Sequence, residues 1–258
     1  MSHLHIPDGV MPLWIIALGW VATIALLILS TGRLRRGGLE IKLSLLGMMS
    51  ALMLVAMSLE LIPIGYHVNL TVVSGILLGP TLAFVAAFVV NLILAFFGHS
   101  GITVVGLNTL LIGTEMELGY FLFRAGRGLV TRGIGVGLLA GAVTVVSLLA
   151  GSLLMIGVVA LSNVNPGIAR PEATIIERGG EISFRNPFGE GAVAWRPFGE
   201  EPEPSAPPEI DIATFATLVL GLGAVGWIVE AVITGAIIRY LVAVRPDLIG
   251  VTRPPGRG

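Results

Sequence analysis

The chain has 258 residues and a mean hydropathy of +0.93, with 55% hydrophobic but only 12% charged residues. Because ordinary soluble domains contain about 25% charged residues, this composition excludes a typical soluble domain and predicts a helical protein with several membrane spans. A net charge of −1 gives no indication of nucleic-acid binding. The absence of cysteine excludes disulfides and thiolate metal ligands.

Apolar segments follow one another along most of the chain, and a helix of about 20 apolar residues is long enough to cross a bilayer. These segments cover residues 11–31, 40–62, 68–97, 102–123, 133–160 and 212–243. The first one resembles an uncleaved anchor rather than a signal peptide, because basic residues follow it and do not precede it.

The segment 68–97 fits either one long kinked helix or a hairpin that turns at Gly79-Pro80. Cytoplasmic loops carry an excess of lysine and arginine, and such residues follow the first span, occupy 124–132 and recur after position 238. The three basic regions share one side only if 68–97 crosses twice. The sequence therefore predicts an all-α polytopic membrane protein with about seven transmembrane helices, an external N-terminus and a cytoplasmic C-terminus.

A polar segment, 162–211, precedes the last apolar segment and is predicted to be an extracellular loop. It contains nine acidic residues and four arginines, and its stretch ATIIERGGEISF predicts a β-hairpin around Gly179-Gly180. The single membrane domain then consists of 1–161, with the N-terminal tail and six helices, and 212–258, with the seventh helix and a cytoplasmic tail. The loop is interpreted as a solvated connection, or as a segment that concentrates cations or docks a small partner.

All four histidines fall on the outer side of this topology. His3 and His5 lie in the N-terminal tail, and His67 and His99 lie in outer turns. Imidazole suits Ni, Co, Cu and Zn, and the amino terminus and nearby backbone amides are further nitrogen donors. Ser2 is small enough to favour removal of the initiator methionine, which would place His3 second in the mature chain. The alternative reading of each histidine is a polar cap at the membrane interface.

Further polar and small residues complete the candidate site. The residues expected to orient metal ligands are Asp8, Asn69, His99 and Asn108. Glu115 and Glu117 lie towards the inner half of a span, where we expect helix pairing or a subunit contact. Gly47 and Ala51 form a small-xxx-small pair, which lets membrane helices approach closely and is a second candidate for a subunit contact.

Several stretches resemble the CbiM/NikM family: HIPDGVMPLW, ILLGPTLAFVAAFVVNLILAFFG, GITVVGLNTLLIGTEM and GWIVEAVITGAIIRYLVAVRPDL. Members are the cobalt and nickel substrate-binding components of energy-coupling-factor transporters. The resemblance covers nearly everything except 162–211. It implies a seven-helix binding subunit with its N-terminus tucked into the metal site, a transmembrane coupling subunit and two cytoplasmic ATPase subunits. A small accessory membrane protein is associated with the family, and the loop 162–211 is a candidate to contact or replace it.

The resemblance also implies a set of metal ligands. In the family, the amine, an amide and an N-terminal histidine bind the metal together with the outer-turn histidine, and these histidines correspond to His5 and His67. This chain carries MSHL in front, so His5 has no adjacent amine. Either the site is rebuilt around Ser2 and His3 with His5 joining, or the true start of the chain differs. The expected metal ligands are therefore Ser2, His3, His5 and His67.

The resemblance implies a metal-capturing subunit of an ATP-driven importer for Ni²⁺ or Co²⁺ in the cytoplasmic membrane of a prokaryote. The sequence has no GxxxxGK[ST] phosphate-binding loop, so ATP hydrolysis is expected in separate subunits, and the chain is not expected to be an enzyme or to hold a cofactor. The alternative is an autonomous channel or secondary carrier for divalent cations, which would favour internal repeats and acids at the membrane midplane. The choice between nickel and cobalt stays open.

Overall fold

The computed structural model describes residues 6, 11–34, 39–58, 60–61, 66–98, 100–130, 133–162, 175–178, 181–185, 192–195 and 212–249. The helices are α1 (Leu13–Leu34), α2 (Leu39–Ser58), α3 (Thr71–Phe96), α4 (Val105–Arg127), α5 (Gly133–Ser162) and α6 (Ile212–Val244), followed by a 3₁₀ turn (Pro246–Ile249). The strands are β1 (Glu60–Leu61), β2 (Tyr66–His67), β3 (Ile175–Arg178), β4 (Glu181–Arg185) and β5 (Ala192–Trp195).

The helices coincide with the apolar segments of the sequence and have the properties of membrane spans. Within the described residues, α1, α3, α5 and α6 are long and apolar enough to cross a membrane, and α2 contains a shorter apolar stretch, Leu43–Ser58. Large apolar side chains on α1, α5 and α6 are exposed, among them Val21, Leu138 and Val232. Because soluble monomers rarely expose extended apolar surfaces, these helices support a multi-pass membrane protein. The orientation in the membrane stays a prediction.

Helix α3 has a break in its middle, at the position where the sequence allows a hairpin. Gly79 adopts φ 71° and ψ 169°, a conformation that is essentially restricted to glycine. Pro80 follows it and disfavours a helical conformation at the preceding residue. The first part of α3 therefore ends at Gly79, and the second part starts anew at Pro80.

The contacts of α3 with α4 show that its two parts are not collinear. Gly75 packs against Met116 of α4, and Phe84 packs against Gly113 of the same helix. Gly75 and Phe84 would be about 13 Å apart along a straight helix, whereas Met116 and Gly113 are only about 4.5 Å apart along α4. Helix α3 is thus kinked at Gly79, although it is one assigned element. The count of seven membrane crossings stays a prediction, since the described part contains six long helices.

Close helix contacts hold the bundle together and depend on small residues. A Cβ atom at Gly106 of α4 would lie 2.8 Å from the Cα of Trp20 in α1, and one at Gly141 of α5 would lie 3.0 Å from the carbonyl oxygen of Ala231 in α6. Such contacts bring helix backbones together and increase their dispersion energy in a lipid environment, where apolar burial contributes little. Helix α1 is therefore packed closely against the start of α4, and α5 is packed closely against α6.

The strands of the polar segment form an antiparallel sheet in the order β3-β4-β5. In β3 and β4, Ile175 lies opposite Phe184 and Arg178 lies opposite Glu181, on either side of the Gly179-Gly180 dipeptide. The dipeptide itself is outside the described residues. The third strand, β5, has no counterpart in the sequence-based expectation. The extracellular location of this segment stays a prediction.

Candidate functional site

The N-terminal tail is attached to α4 at Ile6, the tail residue before position 11 that the structure describes. The Ile6 N–H donates to Asn108 Oδ1 at 3.1 Å, and Asn108 Nδ2 donates to the Ile6 carbonyl at 3.2 Å. Asn108 and Ile6 are almost fully buried. A side-chain amide carries a donor and an acceptor side by side, so one asparagine satisfies both main-chain groups of Ile6.

The Ile6 side chain lies in an apolar cluster that is assembled from several helices. Its neighbours include Val104, Leu107, Met155 and Val159, with Met11 and Ile15 from the start of α1. Burying a side chain of this size contributes roughly 1.5–3 kcal/mol. The apolar cluster and the Asn108 amide together fix the tail between α1, α4 and α5.

Polar side chains of α1 fix the start of α4, which carries Asn108. Trp20 Nε1 donates to the Thr103 carbonyl at 2.7 Å, and Thr23 Oγ1 donates to the Gly106 carbonyl at 2.7 Å. The Trp20 and Thr23 donors would otherwise be costly to bury without a partner. These bonds give Asn108 a defined position, two residues after Gly106.

The second component is the turn that follows His67. His67 lies in β2, where it pairs with Glu60 of β1 in an antiparallel register, and its side chain is half-buried. Two residues later, the Asn69 N–H donates to Glu230 Oε1 of α6, and the Leu70 N–H lies beside the same carboxylate. Leu70 has a left-handed conformation, φ 56° and ψ 20°, and precedes the first residue of α3. The turn is therefore held by a side chain 161 positions away in sequence.

A second buried acid, Glu115 of α4, lies beside the same turn. Its side chain lies beside Thr71 and Glu230, and it packs against Gly151 of α5. Glu115 is 5% exposed, so it lies inside the bundle, where it can pair helices, and does not form part of an exposed subunit surface. Glu117 is half-buried on the same helix.

The tail and the His67 turn are attached to one face of α4. Asn108 contacts Ile6, and Glu115 contacts Thr71. These two α4 residues are seven positions apart, which is about two helical turns, or ~10 Å, along the same side of the helix. Helix α4 thus brings the segment next to His5 and the segment after His67 to neighbouring levels of a single helix face.

Asn69 is the predicted ligand-orienting residue with the most unusual environment. It is fully buried, and neither Nδ2 nor Oδ1 of its side chain has a hydrogen-bond partner within the described residues. Buried amides are nearly always paired. The Asn69 side chain is therefore available to a polar group that the described residues do not include.

Only some of the other predicted site residues are described by the structure. Ser2, His3, His5, Asp8 and His99 lie outside the described residues. Among the described residues, no three His, Cys, Asp or Glu side chains converge as a metal site. Gly47 and Ala51 are exposed on α2, and a Cβ atom at Gly47 would meet no atom within 4 Å.

Sequence reasoning did not assign a role to Glu230, Leu70 or the α1 donors Trp20 and Thr23. Glu230 carries the clearest sequence signal, because an acid within a long apolar helix is costly unless it is paired or functional. Its partner is not visible in the sequence, since it consists of main-chain N–H groups that every non-proline residue possesses. The positive φ of Leu70 leaves no signal at all in an apolar residue.

The fold and the site together define a helical membrane protein in which Ile6, ahead of the first helix, is buried and polar contacts connect the helices. The chain belongs to the CbiM family: residues 5–248 match the family model of the cobalt uptake substrate-specific transmembrane region. This result confirms the resemblance noted in the HIPDG, LLGP and VRPDL stretches. The protein is thus a membrane component of cobalt or other transition-metal uptake.

Two solved structures share this fold. A crystal structure of a truncated transition metal transporter is 20% identical, with a TM-score of 0.66 over 93% of this chain and 99% of that one. A second crystal structure of a transition metal transporter has the same identity and TM-score, over 93% of each chain. No curated protein is detectably similar in sequence.

Proposed function

We propose that this protein is the metal-capturing substrate-binding subunit of an ATP-driven, energy-coupling-factor-type importer for Ni²⁺ or Co²⁺. The observation that carries the proposal is the double hydrogen bond between Asn108 and the main chain of Ile6. It anchors the residue that follows His5 inside the helix bundle. The His67 turn is attached to the same face of α4, which supports a single site that combines nitrogen donors of the tail with the His67 imidazole.

The proposed ligands are the nitrogen groups of Ser2, His3, His5 and His67. Imidazole, amine and amide nitrogens suit Ni²⁺ and Co²⁺ better than the hard cations Mg²⁺ and Ca²⁺, which prefer oxygen. Asn69 supports this assignment because its side-chain amide is buried next to the turn and lacks a partner within the described residues. Asp8, His99 and Asn108 are proposed to orient the ligands.

The energy for transport is proposed to come from partner subunits. The sequence lacks a phosphate-binding loop of the GxxxxGK[ST] type, so the chain acts with two cytoplasmic ATPases and a transmembrane coupling subunit. The exposed surface around Gly47 and Ala51 of α2 is the proposed seat for the coupling subunit, because small residues on an open helix face allow close approach of a second helix. A small accessory membrane protein is a further proposed partner, with 162–211 as its contact.

The test compares the metal content of purified native protein with that of His67→Ala after exposure to equal Ni²⁺ and Co²⁺. We expect about one tightly held ion per native chain, because the four nitrogen ligands form a single site. Substitution of a residue that only supports a ligand lowers metal affinity by up to ~100-fold. Loss of His67, a proposed ligand, should therefore lower the affinity by more than that.

Thermal unfolding of the metal-free proteins serves as the folding control. Equal metal retention in native protein and in folded His67→Ala would overturn the proposed site. Native protein alone in vesicles should bind the ion but show little flux. Sustained uptake without ATPase subunits would instead favour the channel or carrier.

A further inference from the structure

We propose that Glu230 is a positioning residue for the His67 imidazole, acting through the main chain of Asn69 and Leu70. The proposal rests on the metal site argued above and adds a residue from α6 that the family match does not assign. Glu230 is 1% exposed, and its carboxylate accepts the Asn69 N–H and lies beside the Leu70 N–H. The acid thus holds the chain immediately after His67 rather than contacting the ion.

The carboxylate holds the chain just before helix α3, which has no side-chain cap of its own. Leu70 precedes the first helical residue, and no side-chain hydrogen bond caps the first turn. Glu230 accepts the N–H of Asn69, the residue before Leu70. The segment that leads into α3 is therefore attached to α6 through Glu230.

The left-handed conformation of Leu70 makes the attachment of this segment to Glu230 important for the direction of the chain between β2 and α3. A left-handed conformation is uncommon for a leucine and costs free energy. Its carbonyl accepts the Ser74 N–H at 2.9 Å as the helix begins, and the N–H of the preceding residue, Asn69, donates to Glu230. The chain direction changes at this residue, so the bonds on both sides of it set the angle between β2 and α3.

His67 is close enough in sequence for this angle to set its position. Three peptide bonds separate His67 from Leu70, and a two-residue strand pair such as β1–β2 is too short to fix the segment by itself. If the Asn69 and Leu70 N–H groups lose Glu230, the turn can relax and carry the imidazole with it. Displacement of a ligand by even a fraction of an ångström weakens a metal site.

Three substitutions of Glu230 test how its acceptor oxygens and the length of its side chain affect metal binding. Glu230→Ala removes both acceptor oxygens, Glu230→Gln retains one neutral acceptor, and Glu230→Asp retains the charge on a shorter side chain. We expect the affinity for Ni²⁺ and Co²⁺ to fall by about 10- to 100-fold in Glu230→Ala, and by less in Glu230→Gln. The visible ligand-field spectrum of bound Ni²⁺ should shift in these variants, because the imidazole direction changes.

Thr234→Val is the matched control on the same face of α6, one turn further along. Thr234 is fully buried, and its hydroxyl has no partner within the described residues, so this change should alter neither affinity nor spectrum. A purely structural role of Glu230 predicts lower thermal stability of the metal-free protein, with normal affinity and a normal spectrum in the folded fraction. If Glu230→Ala does not fold, Glu230→Gln and Glu230→Asp provide the same comparison.

The outcomes distinguish the two proposals. If native protein binds the ion, His67→Ala loses it, and the folded Glu230 variants keep native affinity and spectrum, the positioning role is wrong and the metal site stands. If His67→Ala binds as tightly as native protein, the metal site itself fails, whatever the Glu230 variants do. Reduced affinity with a shifted spectrum in Glu230→Ala, partly restored in Glu230→Gln, supports the proposal.

Discussion

In Asn108→Leu, we expect the affinity for Ni²⁺ and Co²⁺ to fall about 1,000-fold. Leucine is similar in size but leaves the N–H and carbonyl of Ile6 buried without a partner, at roughly 2 kcal/mol for each group. A total of about 4 kcal/mol corresponds to a factor of 10³ in an equilibrium constant. The tail should leave the bundle rather than accept this cost, and Ser2, His3 and His5 would leave with it. Equilibrium competition with a chelator of known affinity measures the change.

Thr109→Val provides the matched control, because Thr109 is the next residue of α4. It is fully buried, and its hydroxyl has no hydrogen-bond partner within the described residues. Replacing that hydroxyl by a methyl group should leave metal affinity unchanged. If Asn108→Leu folds and binds metal as tightly as Thr109→Val, the tail does not supply ligands, and its contact with α4 is structural only.

Anchoring the tail before the ion arrives has an energetic advantage for capture. A free tail would lose roughly 1–2 kcal/mol of conformational entropy for each residue that becomes ordered. Where Asn108 and the apolar cluster around Ile6 already order the segment, this cost is not subtracted from metal binding. The contact with Asn108 uses only the main-chain groups of Ile6 and therefore occupies no imidazole.

The positions of the helices were predictable from the sequence, because runs of apolar residues long enough to cross a bilayer leave a strong signal. The predicted segment 133–160 corresponds to α5 (Gly133–Ser162), and 212–243 corresponds to α6 (Ile212–Val244). Two crossings within 68–97, with a turn at Gly79-Pro80, were predicted from the distribution of basic residues, and they stay a prediction. The structure places a backbone break at Gly79, where φ is 71°.

The contacts between distant residues were not predictable in the same way. Asn108 was a candidate for the site, but its partner is the main chain of Ile6, 102 positions away, and every residue offers such groups. The hydrogen bond from Asn69 to Glu230 likewise involves a main-chain group, the N–H of Asn69. A main-chain partner leaves no trace in composition or periodicity, so only the fold reveals which residues it joins.

Close glycine contacts are a further feature that the sequence does not specify. Its 35 glycines look alike in the sequence, yet some lie against the backbone of another helix and others face open space. Gly75 of α3 belongs to the first kind. A Cβ atom at this position would lie 2.8 Å from the carbonyl carbon and 2.9 Å from the Cα of Met116.

In Gly75→Ala, we therefore expect the free energy of unfolding to fall by about 3 kcal/mol, because overpacking against a backbone cannot be relieved by rotating a side chain. The two helices must separate, and Gly75 lies one turn after Thr71, which contacts Glu115. The His67 turn should shift as well, and metal affinity should fall in the molecules that still fold. Unfolding of the metal-free protein in mixed detergent micelles measures the stability.

The same substitution at Gly157 of α5 should instead raise the free energy of unfolding. A Cβ atom there would meet no atom within 4 Å, and alanine is favoured over glycine inside a helix by up to ~1 kcal/mol. The pair thus separates the contact with Met116 from the general effect of glycine on helix stability. If Gly75→Ala were as stable as Gly157→Ala, α3 and α4 could not be as close as the structure has them, and the attachment of the His67 turn to α4 would lose its support. If Gly75→Ala is less stable and Gly157→Ala is not, the result supports the close packing of α3 on α4, which positions the turn that follows the proposed ligand His67.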